Sequence, residues 1–134
     1  MRLLSLSRNP RTPVLYASET SVESTSIPGV TFVLHKMSAA RRLDLISQLG
    51  ELAAQLDMLR TSDKLEDRVR AEALRIRIDR EYLLWGLRAI HGLEIDGVAA
   101  EAEALFERGP EALVAEIVRR IRDECELSPS EQKN

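Results

Sequence analysis

Leucines at positions 45, 49, 52, 56 and 59 recur at spacings of 4, 3, 4 and 3. That repeat of 3.5 residues suits a helix with one apolar seam, and Ser38 is a good N-cap for it, so the spacing predicts a helix over about residues 39–60. Thr61, Ser62 and Asp63 interrupt the pattern. Asp63 and Glu66 have the spacing of a capping pair, and a second helix is expected over about 64–91 with a seam of Val69, Ala73, Ile76, Arg80, Leu83, Leu87 and Ile90.

So short a connection makes these two helices an antiparallel hairpin, with Leu56 expected opposite Val69, Leu49 opposite Ile76 and Leu45 opposite Arg80. Arg80 is the odd member of this seam and is expected to reach Asp44 or to lie past Leu45. Leu74, Ile78 and Trp85 fall on the back of the seam, which leaves the second helix apolar on two sides. Something must cover that second side. These three residues are the candidate partner-binding positions, and burial beneath the terminal helices is the competing expectation.

The flanking segments read differently. RLLSLS (2–7) and VLYAS (14–18) look extended, with two prolines between them, and ETSVESTS reads as a polar linker. GVTFVLHK is the clearest strand, with Val30, Phe32 and Leu34 on one face. Beyond Gly92, LEI is long enough only for a brief strand and Asp96-Gly97 is a favoured tight turn. Two further helices are expected, one over 99–108 and one entered through Pro110 with the stripe Val114, Val118, Ile121 and Cys125. Ser128-Pro129-Ser130-Glu131 is an N-terminal helix signature followed by only three residues.

The fold class expected is therefore α+β, mostly α: short N-terminal strands or a hairpin, an antiparallel helical hairpin, and two shorter C-terminal helices. The divisions expected are an N-terminal β segment (1–37) packed on the same domain, a helical body (38–127) and a tail (128–134). With aromatics at 4%, the core must be built mainly from Leu, Ile, Val and Ala.

Chemistry is sparse. The stretch WGLRAIHGLEIDG brings His91, Glu94 and Asp96 close together, yet each has a structural reading: a helix end for His91, a strand edge for Glu94 and a turn for Asp96. No nearby spacing supplies the further ligands that a metal would need. Cys125 is the single cysteine, so an internal disulfide and a thiolate zinc cage are excluded, and its apolar stripe marks it as a core residue. His35 is expected exposed on its strand. No GxSxG, P-loop, dinucleotide fingerprint or HExxH motif occurs. No catalytic, cofactor-binding or metal residues are expected.

Partners are bounded by charge and hydropathy. Arginines at 68, 70, 75, 77 and 80 alternate with acids, with Arg68–Glu72 and Arg77–Glu81 at ion-pair spacing, so that surface reads as a solvated face and nucleic acid is not expected as a direct ligand. No apolar run approaches the roughly 20 residues needed to cross a bilayer. No membrane partner is expected, and the compartment expected is the cytoplasm.

Taken in order, SIPGVTFVLHKMSAARRLDL, REYLLWGLRAIHGLEIDG and ALFERGPEALVAEIVRRIRDECELSPSEQKN make the chain resemble the small tail assembly chaperones of tailed bacteriophages and prophages, from about Ile27 to the end. The resemblance implies a non-enzymatic protein of the bacterial host cytoplasm that binds the long helical tape measure protein during tail assembly. It also implies a longer product made by ribosomal frameshifting in many such phages, and the shortened helix signature at Ser128 is consistent with a junction there. The alternative is a structural tail component, an adaptor or tube-associated protein retained in the virion. Self-association through the same apolar surface is a further expectation.

Overall fold

The computed structural model describes residues 11–125. The possible strand at 2–7 and the helix signature at Ser128 lie outside them. The described chain is mostly helical with a small antiparallel sheet, as its composition and periodicity predict.

Strand β1 (Glu19–Glu23) pairs with β2 (Thr31–His35), with Val22 opposite Phe32. This corrects the reading of ETSVESTS as a linker: Thr20 and Val22 turn inward while Glu19, Ser21 and Glu23 stay exposed, so a polar-looking segment is a one-sided edge strand. The segment 14–18 is not a strand; it leads into β1 with Val14 and Leu15 exposed, Tyr16 under the Lys36 ammonium at 4.9 Å, and the Ser18 carbonyl accepting from the Lys36 N–H at 2.8 Å. Val30, Phe32 and Leu34 are buried as their alternation requires.

Helix α1 (Ala39–Leu59) begins at Ser38, whose hydroxyl accepts a hydrogen bond from the Arg41 N–H at 3.2 Å. Helix α2 (Leu65–Gly86) follows a short turn and packs antiparallel along it. The expected capping pair does not form. Lys64 is the N-cap without a side-chain bond, and Ser62 instead donates to Asp67 at 2.6 Å and accepts from the Lys64 N–H.

The second helix stops at Gly86, five residues short of the expected end. Leu87–His91 forms β3, antiparallel to β2, giving a sheet of order β1-β2-β3 into which the helical hairpin is inserted. Leu87 faces Leu34 and Ile90 faces Phe32, with a register shift between Val33 and Leu34. That bulge accommodates Arg88 as an extra residue, so Leu87 and Ile90, three apart, both point into the core. A spacing of three inside a strand imitates a helix.

The turn at Gly92 follows, then the hairpin of β4 (Glu94–Ile95) and β5 (Val98–Ala99), with Asp96 and Gly97 both at positive φ, as an Asp-Gly turn requires. Helix α3 (Ala102–Arg108) and helix α4 (Glu111–Cys125) complete the fold. Leu113 and Ile117 of α4 are fully buried beside Val118, Ile121 and Cys125, so its apolar face is wider than the stripe expected.

The core lies between the sheet, the second half of α2, α3 and α4. Phe32, Leu34, Leu83, Leu105, Leu113 and Ile117 are its largest fully enclosed side chains, each worth about 1.5–3 kcal/mol of burial. Glu116 ties the β1–β2 loop to α4 by accepting from the Ser24 hydroxyl at 2.7 Å, the Thr25 N–H at 2.7 Å and the Ser26 N–H at 3.2 Å.

Candidate functional site

The stretch that concentrates His91, Glu94 and Asp96 is a strand end followed by a tight hairpin. His91 and Glu94 are exposed, and Asp96 holds its turn against Arg108 through an ion pair. No group of three or more His, Cys, Asp or Glu side chains able to hold a metal occurs among the described residues. His35 is half-buried, and that burial first, then the nearby Arg41 charge, lowers its pKa. Cys125 is buried and in no disulfide.

The hairpin register differs from the one expected. Arg80 faces α3: it lies 3.5 Å from both Glu103 and Glu81 and within 5.8 Å of the Phe106 ring centroid, so the pairing with Leu45 is overturned. The face of α2 turned to α1 is the one carrying Ala71, Leu74, Ile78 and Trp85. At its far end the Arg41 guanidinium stacks 4.2 Å from the Trp85 ring centroid and donates to the Trp85 carbonyl. The expected seam is rotated away from α1.

That rotation separates the three candidate partner-binding residues. Ile78, 6% exposed, belongs to the core; Trp85 is half-buried under Arg41; and Leu74, 7% exposed, lines a groove between the helices. They do not form one exposed patch. The correction has a simple physical cause: α2 has two apolar sides, and the side that buries more against α1 became the seam.

Val69 and Ile76, assigned to the seam, are left outside, whereas Leu83, Leu87 and Ile90 of the same assignment are in the core. Leu65, Val69 and Ile76 follow one face of α2 at spacings of four and seven, and Leu65 and Val69 are 74% and 62% exposed. Helix α1 adds Leu43, Ile46 and Met58, all exposed. Near the end of the hairpin a groove of about 410 Å³ is lined by Met58, Leu59, Ala73 and Leu74, with Arg70 and Arg77 among its lining.

The surface ion pairs also differ from those expected. Arg75 contacts Glu72 at 2.7 Å and Asp79 at 3.1 Å, and Glu81 pairs with Arg80; Arg68 and Arg77 do not form the pairs assigned to them. Among the described residues no helix is long and apolar enough to cross a membrane. Comparison with protein-family models, with curated proteins and with solved structures finds no match.

Proposed function

We propose that this chain is a phage tail assembly chaperone, a non-catalytic protein of the bacterial host cytoplasm that binds the tape measure protein while the tail is built. The observation that carries the reading is the helical hairpin: Leu43, Ile46, Met58, Leu65, Val69 and Ile76 are large apolar side chains exposed on two long helices. Such surfaces suit the apolar faces of a partner's helices. The resemblance of the sequence to tail assembly chaperones supplies the identity of that partner.

Co-expression with the tape measure protein of the same tail gene cluster tests this. A soluble complex is expected. Equal precipitation of the tape measure protein with and without this chain overturns the reading. Stoichiometric retention of the chain in purified virions, measured by mass spectrometry, makes it a structural tail component instead.

A further inference from the structure

We propose that the groove between α1 and α2 docks an acidic amphipathic helix of another protein. The inference deepens the reading of this chain as a binder of helices, and rests on it for the partner's identity. Met58, Leu59, Ala73 and Leu74 give the groove its apolar walls, and its two charged lining residues are both arginines, Arg70 and Arg77. In a chain of net charge −3, this is a local reversal of sign.

The two arginines are exposed to an incoming chain. Arg77 is exposed and makes no ion pair among the described residues, and Arg70, with its side chain 67% exposed, has one contact, at 3.4 Å to Asp67. Arg75, on another face of the helix, is by contrast held by two carboxylates.

Arg70 and Arg77 stand seven residues apart, two helical turns or about 10 Å along α2. A third helix laid into the groove presents residues i, i+3 or i+4, and i+7 to the apolar walls. Carboxylates flanking that stripe seven residues apart then meet both arginines. Met58, 80% exposed and unbranched, can adjust to the side chains that enter.

The test uses two fluorescent helical peptides with the same leucine stripe, one flanked by glutamates seven apart and the other by lysines, titrated with the full chain by anisotropy. The acidic peptide is expected to bind at least tenfold more tightly. Arg70→Glu with Arg77→Glu should reverse the preference, and Met58→Glu, at an exposed position, should weaken the acidic peptide about tenfold. Equal binding of the two peptides, no binding of either, or an unchanged preference in the double variant overturns the proposal. Competition by unlabelled chain, with loss of self-association in the double variant by sedimentation, assigns the groove to a second copy and also overturns it. Peptide binding without a tape measure complex keeps the groove and removes that partner; a tape measure complex untouched by the double variant does the reverse.

Discussion

Ser24 and Glu116 stand 92 residues apart in sequence, and the serine hydroxyl donates to the glutamate carboxylate at 2.7 Å. The same carboxylate accepts from the Thr25 N–H and hydroxyl and from the Ser26 N–H, so it satisfies three consecutive residues of the loop. Ser24 in turn accepts from the Ile27 N–H at 3.0 Å. An otherwise polar hairpin loop is thereby fastened to the last described helix.

The fastening depends on ionisation. Desolvation raises the pKa of Glu116, but the hydrogen bonds from Thr25, Ser24 and Ser26 outweigh it and hold the group at about 2, below its ordinary 4.5. Because the folded value is the lower one, the stabilisation is complete above about pH 4.5 and is lost as pH falls toward 2. Glu116→Gln should cost about 2 kcal/mol at pH 7, roughly 6–12 °C in Tm for a chain of this size. Melting curves of both proteins should converge as the pH approaches 2; a constant gap across that range would refute the assignment.

Among the described glycines, Gly92 leaves the least room for a Cβ. It has φ of +86°, and a Cβ there would sit 2.3 Å from the Gly29 carbonyl oxygen, so Gly92→Ala combines left-handed strain with a backbone clash. A loss of about 3 kcal/mol or more is expected in urea unfolding. Gly50 is the opposite case: it lies within α1 with open space around it, and Gly50→Ala should stabilise by about 0.5–1 kcal/mol.

Legibility in the sequence followed periodicity. The α1 seam, the alternation of Val30, Phe32 and Leu34, and the Asp-Gly turn rest on local patterns with one dominant reading, and the structure has all three. Helix α2 offered two apolar sides of comparable strength, and only the packing of α1, α3 and α4 decides between them. The bulge at Arg88 gave a strand the three-residue spacing of a helix, which hid β3. Glu116 had no local signal, because its partners are about 90 residues away.

The rotated seam can be tested by truncation on each side of α2. Ile78→Ala removes a core side chain and should cost about 3 kcal/mol, whereas Val69→Ala, at a position 62% exposed, should stay within about 0.5 kcal/mol. Chemical denaturation of the two variants reads this directly. The reverse ranking would restore the pairing of Val69 with Leu56.

Cys125 is 8% exposed at the end of α4, where the Arg42 guanidinium reaches its carbonyl at 3.3 Å. A thiol reagent of ordinary size should therefore react with it at least tenfold more slowly in the folded protein than in 6 M guanidinium chloride. Cys125→Ser places a hydroxyl in the same apolar site and should lower stability by about 1–2 kcal/mol. Equal reaction rates would mean that the end of α4 opens readily.

The exposed side of α2 separates binding from folding. Leu65 and Val69 are turned from the core, so Leu65→Lys with Val69→Lys should change the melting temperature by no more than about 3 °C. If this face covers the helices of a tape measure protein, two ammonium groups on it would have to be desolvated in the complex, a cost of several kcal/mol. Co-expression should then leave most of the partner in the pellet while the variant itself stays soluble and folded by circular dichroism. Full recovery of the partner with the double variant would move its docking away from this face and toward the groove beside Met58 and Leu74.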